Sequence, residues 1–185
     1  MPVKSRCRGL MHLRSAKTED ATAACAVLRR SITELCRADH GGDEILLGKW
    51  LSNKTVENVT RWIMQSYFVV AEEGETILGV AAMDASGKIT LNYVSPEARF
   101  RGVSKALVLQ LEAQARALGL SECTLETTQT ALRFYQSLGY VKSEETYPLL
   151  LTGSPATVLR KIFESPQGSL DPNSGAAPSP SAQPP

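Results

Sequence analysis

The sequence predicts an α/β fold of the α+β kind, with a central mixed sheet that is mostly antiparallel and is flanked by helices. Three features point to it. Three β-rich runs, Tyr67 to Glu72, Thr76 to Asp84 and Lys88 to Val94, are parted only by the turn pairs Glu73-Gly74 and Ser86-Gly87, the pattern of an antiparallel meander. Two helical regions with apolar residues at three- and four-residue steps come before it. Helix, strand, helix and two further β runs follow, and 185 residues are one domain's worth of chain.

In chain order, His12 to Ala16 reads as a short strand, and Thr18, followed by Glu19 and Asp20, as the N-cap of the first helix. Ala24, Val27, Leu28, Ile32 and Leu35 form that helix's apolar face, which ends near Gly41-Gly42. The second region spans Glu44 to Ile63 with a break near Asn53; its apolar set includes Trp50, Leu51, Val59 and Trp62, and it pairs with the first as a helical hairpin. After the meander and Pro96, a helix from about Gly102 to Leu118 puts Leu107, Leu111 and Leu118 on one face and stops at Gly119. Glu122 to Thr127 is a strand, Thr130 to Leu138 a helix stopped by Gly139, and Tyr140 to Leu151 and Thr157 to Phe163 are β runs around Gly153.

The folded unit expected is residues 11–164, one domain, with residues 1–10 a flexible extension and Met1 or Met11 as the start. Residues 165–185 hold six of the ten prolines, five serines and a single charged residue, Asp171, too little apolar surface to offset chain entropy, so this tail is expected to be disordered. Charges nearly cancel at +1, which argues against nucleic acid or an anionic membrane as partner. The longest apolar stretch, Ile77 to Met83, is far short of the ~18 residues of a membrane span. No apolar block follows the basic start, so a soluble cytoplasmic protein is expected. Cys7, Cys25, Cys36 and Cys123 lie far apart and read as free thiols. With two histidines, His12 and His40, and no second ligand cluster to complete the Cys36 to Asp43 stretch, no metal is expected.

Chemistry concentrates in Leu91 to Ala106, LNYVSPEARFRGVSKA, where a strand passes through a glycine turn into a helix. First-turn N–H groups of a helix lack intrahelical acceptors, and the helix dipole is positive there, so the turn suits a pyrophosphate. Gly102 allows close approach, and Arg99, Arg101 and Lys105 add positive charge. The bland alternative is an ordinary loop with solvated basic residues.

Arg99 to Ser104 resembles the acetyl-CoA signature Q/R-x-x-G-x-G/A of the GNAT acyltransferase superfamily, with Ser104 where Gly or Ala is usual. Ala131, Tyr135, Gly139 and Tyr140 match the same family's N-x-x-A-x-x-x-Y-x-x-x-G-F/Y segment, with Thr128 in place of its Asn. The resemblance covers about residues 11–164 and implies that the sheet is splayed at a V-shaped cofactor cleft. It implies acetyl-CoA as acyl donor, held at its pyrophosphate by N–H groups of Arg101, Gly102, Val103, Ser104 and Lys105 with Arg99 beside them. It also implies main-chain bonds from Tyr93 and Val94 to the pantetheine arm, a side-chain contact from Thr128, and Tyr135 as the general acid at the thiolate.

The acceptor implied is a primary amine of a small molecule or peptide, and its ammonium must lose a proton before attack. Lys88, Thr90 and Asn92 stand where several relatives place a glutamate base, so the base stays open among Glu126, Asp39, His40 and ordered water, with Glu126 the first candidate. Asp39, His40, Trp50 and Asn92, with the helix bearing Lys54 and Asn58, are candidates for the acceptor wall. An acyl-CoA-sensing or protein-binding module without turnover, and transfer of a different acyl group, remain alternatives, as do monomer and homodimer.

Overall fold

The computed structural model describes residues 10–143 and 157–164. The N-terminal extension apart from Leu10, the tail over residues 165–185, Gly153 and residues 144–151 of the predicted β run lie outside the described residues. Seven strands form one open sheet in the order β1-β2-β3-β4-β5-β7-β6. They are β1 (His12–Ser15), β2 (Tyr67–Glu73), β3 (Thr76–Met83), β4 (Lys88–Val94), β5 (Glu122–Thr127), β6 (Val141–Lys142) and β7 (Thr157–Ile162). Only β4 against β5 is parallel.

The helices sit on both faces. On one lie α1 (Ala21–Arg30) and α4 (Val56–Gln65), whose Leu28 and Val59 pack with Phe68, Val70 and Val80 of the sheet. On the other lie α5 (Val103–Ala117) and α6 (Gln129–Ser137), with Leu107, Leu111 and Tyr135 against Met83, Leu125 and Leu159. Between α1 and α4 run a π-helical turn at Ser31–Leu35, α2 (Arg37–His40) and α3 (Glu44–Leu51). The predicted first helix is therefore divided: its axis breaks at Cys36, φ −95° and ψ 21°, and α2 ends at the left-handed Gly41. Thr18 does not cap it; Thr18–Asp20 is a 3₁₀ turn, and the Asp20 carboxylate accepts the Lys17 N–H at 2.7 Å and the Arg14 guanidinium at 2.6 Å. Leu118, predicted to face the core, is exposed as the C-cap of α5, where the chain is already turning at Gly119.

Two local features of the sheet position the site. In β4, Ile89 pairs with Met83 but Leu91 pairs with Ala82, so Thr90 bulges out of the ladder. Ile89 then packs in the α5 core and Leu91 in the α1 core, although residues two apart on a regular strand share a face. Beyond that bulge the parallel pairing ends: β5 matches β4 only at Lys88–Thr124 and Ile89–Leu125, while its other edge pairs with β7 from Glu122 to Thr127.

The second feature is Gly79 on β3. A Cβ there would lie 2.8 Å from Val103 Cγ1, 3.0 Å from Leu107 Cδ1 and 3.1 Å from the Tyr93 carbonyl oxygen. Glycine thus lets the first turn of α5 press against the sheet beside the end of β4. At the far end of α5, Glu112 is buried and held by Lys161 of β7 at 2.7 Å. Gly79→Val should lower unfolding free energy by about 1–3 kcal/mol through overpacking at this contact, read as a fall in the urea midpoint at unchanged m-value.

Candidate functional site

The gap between β4 and β5 exposes main chain. Ser95 N–H donates to Leu78 O at 2.7 Å, and main-chain direction alternates along an antiparallel strand, so Tyr93 turns its N–H and C=O toward β3. Asn92 and Val94 consequently turn theirs toward the gap, where β5 no longer meets them. A phosphate-sized anion would find further donors just past the strand end. The chain makes a 3₁₀ turn at Pro96–Ala98, takes left-handed conformations at Phe100 (φ 61°) and Gly102 (φ 79°), and enters α5. The first α-type bond of that helix runs from Ala106 N–H to Gly102 O, so the N–H groups of Val103, Ser104 and Lys105 precede the hydrogen-bond ladder.

The cations around this turn divide into two kinds. Arg101 is tied down, its guanidinium 2.7 Å from Glu73 Oε2 and its N–H bonded to Ala98 O. Arg99 and Lys105 are exposed; the Arg99 guanidinium stacks 4.5 Å from the ring centre of Phe100, which is itself 91% exposed.

Across the gap stands Tyr135, on the face of α6 that meets the α5 core. Its hydroxyl accepts a hydrogen bond from Asn92 Nδ2 at 3.2 Å, which leaves the phenolic hydrogen free to be donated. Burial pushes the phenol up to about 12, with the Asn92 bond acting against it, so the hydroxyl stays protonated through the neutral range. Phe134 and Tyr140 meet its ring edge-on at 4.9 and 5.8 Å and fix its plane. Thr128 is the N-cap position of α6 at the end of β5.

On the α1 face, a cavity of about 660 Å³ opens beside the same gap, lined by Trp50, Trp62, Lys54, Tyr93, Glu126 and Thr128 among others. Tyr93 lines it beside Trp50, and burial raises its phenol. Glu126 is paired with Lys88 at 2.6 Å on the cavity wall. Lys54, in the turn between α3 and α4, is only 5% exposed, and burial lowers its amine.

Two acceptor-wall candidates also hold local structure. Asp39 Oδ1 accepts the N–H and hydroxyl of Thr130 at 3.3 and 2.7 Å, capping α6 from a segment 91 residues earlier. His40 is buried, and its Nδ1 accepts the Gly42 N–H at 3.2 Å. Sequence reasoning placed Trp62 with the helix's apolar set and missed Asn53, Gln65 and Asp84 on the cavity wall. The polar run Ser52 to Thr55 between two apolar-periodic helices was the available signal.

The acetyltransferase (GNAT) domain model matches residues 36–148, more than half of the chain. The chain belongs to the GNAT acetyltransferase family. An uncharacterised N-acetyltransferase of Escherichia coli, YjgM, is 32% identical over 108 residues, which is 54% of this chain and 64% of that protein's length. Among solved structures, a GCN5-related N-acetyltransferase from Rhodopseudomonas palustris superposes with a TM-score of 0.75 at 23% identity, covering 84% of this chain and 98% of its own. The PaiA N-acetyltransferase of Thermoplasma acidophilum, solved with coenzyme A, gives 0.70 at 18% identity over 83% and 99%. These structures share the GNAT fold with the chain.

Because Asp39 supplies the acceptor for an N–H in the first turn of the GNAT helix α6, Asp39→Ala should cost about 0.5–2 kcal/mol of stability, measurable by chemical denaturation, whereas Asp39→Asn, which keeps an oxygen acceptor, should cost less.

Proposed function

We propose that the protein transfers the acetyl group of acetyl-CoA to a primary amine by direct attack. The observation that carries this reading is the β5-facing edge of β4 from Thr90 to Val94, which β5 leaves unpaired and which opens between an unladdered helix start at Val103–Lys105 and the Tyr135–Asn92 pair. An amide-bearing arm can lie along that stretch as a pseudo-strand, bonded by the main chain of Asn92 and Val94. Its pyrophosphate end then meets the N–H groups of Gly102, Val103, Ser104 and Lys105, with Arg99 and Lys105 free to approach. No side chain at Gly102 intrudes, and the space around its Cβ position is open. Thr128 borders the arm from β5. The coenzyme A held by the PaiA relative supports the same ligand here.

The thioester supplies an activated acetyl carbon, and the chain does the rest. The acceptor enters from the α1-face cavity, so nucleophile and thioester meet across the gap from opposite faces, held near attack geometry. Its ammonium gives up one proton to become a nucleophile, and the nitrogen loses a second once the C–N bond has formed. Glu126, the cavity carboxylate nearest the β5 end, receives these in turn and passes them to water. As the C–N bond forms, negative charge gathers on the carbonyl oxygen and is met by main-chain N–H in the gap. The C–S bond breaks with its electron pair on sulfur, and Tyr135 donates its hydroxyl proton to the thiolate and is reprotonated from solvent. One proton is released per acetyl group transferred.

Two substitutions test this. Gly102→Glu adds a like charge and about 1–2 kcal/mol of left-handed strain, and should weaken acetyl-CoA binding at least about 10-fold by calorimetry; unchanged affinity would remove the turn from the site. Tyr135→Phe should lower kcat by about 100-fold with little effect on acetyl-CoA affinity. With the phenol at about 12, the wild-type rate should show no fall from Tyr135 ionisation up to about pH 10.

A further inference from the structure

The α1-face cavity holds a buried lysine that the acetyl-transfer chemistry does not use. Lys54 is 5% exposed and lines the cavity together with Trp50 and Trp62, its ammonium 5.8 Å from the ring centre of Trp62. An ammonium has three hydrogens to donate. The Asn53 side-chain oxygen takes one at 2.5 Å. Among the described residues no carboxylate lies within 4.0 Å of Nζ. By contrast Lys88, on the same wall, is already neutralised by Glu126 at 2.6 Å. A buried cation without a counter-charge is costly, and a ligand anion is what repays the cost.

The turn that carries Lys54 is also fixed in place. Its carbonyl oxygen accepts from Arg29 Nη1 at 3.0 Å and from the Cys25 thiol at 3.2 Å, both on α1. Asn58 Nδ2 donates to the Asn53 carbonyl at 2.9 Å, and the Thr55 hydroxyl caps α4. Lys54 is thus a buried amine on an anchored turn in the wall of a cavity that Trp50 and Trp62 also line, rather than a mobile surface side chain. That is a preorganised anion site. At the β5 end the same cavity reaches Glu126 and the gap, where an amine has to present itself.

We propose that the acceptor is an aminocarboxylate, a small molecule whose carboxylate is held by Lys54 in the cavity that Trp50 and Trp62 line while its amine points into the gap between β4 and β5. This rests on the acetyl-transfer reading and sharpens it. A neutral or purely cationic amine leaves the ammonium of Lys54 unpaired and adds no compensation, so it is disfavoured by the difference between a charged hydrogen bond and none.

The test uses the full chain with acetyl-CoA and reads thiol release against the free L-amino acids, their carboxamides, and the corresponding amines lacking the carboxylate. Acetyl-CoA affinity is measured in parallel by calorimetry, and amino-acid binding to the protein saturated with coenzyme A by the same method. At least one amino acid should be acetylated with kcat/KM about 10- to 100-fold above that of its carboxamide. Lys54→Met, which removes a buried charge and so should not impair folding, should raise KM for that acid by a similar factor, abolish the preference for acid over amide, and leave acetyl-CoA affinity within about twofold. Lys54→Arg should restore part of the preference. Carboxamides or plain amines used as well as the acids, a preference that survives Lys54→Met, or amino acids neither bound nor acetylated by protein that does bind acetyl-CoA would each overturn the aminocarboxylate assignment. Failure to bind acetyl-CoA at all would instead overturn the acetyl-transfer reading beneath it.

Discussion

The parting of β4 from β5 after Ile89 is the constraint on which the rest of the site depends. Thr90, bulged out of the ladder with β3, bends the strand and reverses which face each later residue meets. β5 cannot follow, because its other edge is bonded to β7 along its whole length. The result is a pair of parallel strands joined at one end and open at the other. Main-chain groups normally consumed by a neighbour are left for a ligand at Asn92 and Val94.

The packing on both faces converges on that opening. On one face Gly79 admits the first turn of α5, so the helix start sits next to the strand end, and Glu112 with Lys161 anchors the helix's other half to β7. Asp39 caps α6 from the opposite part of the chain, which steadies the helix that carries Tyr135 to Asn92. On the other face α3, α4 and the turn between them wall a cavity whose floor includes the bulged part of β4. In the proposed reaction donor and acceptor therefore have separate entrances and a common meeting place, which the Tyr135–Asn92 pair borders on one side and Glu126 on the other.

Much of this was legible in the sequence, for local reasons. Glycines at turns and helix ends announce themselves: Gly74, Gly87, Gly102, Gly119 and Gly139 all adopt positive φ where the pattern placed turns or helix boundaries. The meander is legible because Glu73-Gly74 and Ser86-Gly87 interrupt runs of β-branched and apolar residues, and Glu122–Thr127 has the bounds its composition suggested. What was not legible depends on contacts distant in sequence. Thr90 looks like any strand threonine, and only its register with Ala82 and Met83 makes it a bulge. Asp39 and Thr130 meet across 91 residues. Lys54 reads as part of a helix on the acceptor wall, whereas the fold sets it in the turn between α3 and α4, with its carbonyl tied to Arg29 of α1 and its ammonium beside Trp62. The break of the first helix at Cys36 has no glycine or proline to mark it.

Amide hydrogen exchange of the full chain, with and without coenzyme A, tests the central claim most directly. Asn92, Val94 and the first-turn amides Val103, Ser104 and Lys105 should exchange readily in the free protein and gain protection when coenzyme A binds, while Tyr93, already bonded toward β3, should change little. Coenzyme A that binds and protects none of these amides would contradict the account, because the ligand would then lie somewhere other than the gap between β4 and β5.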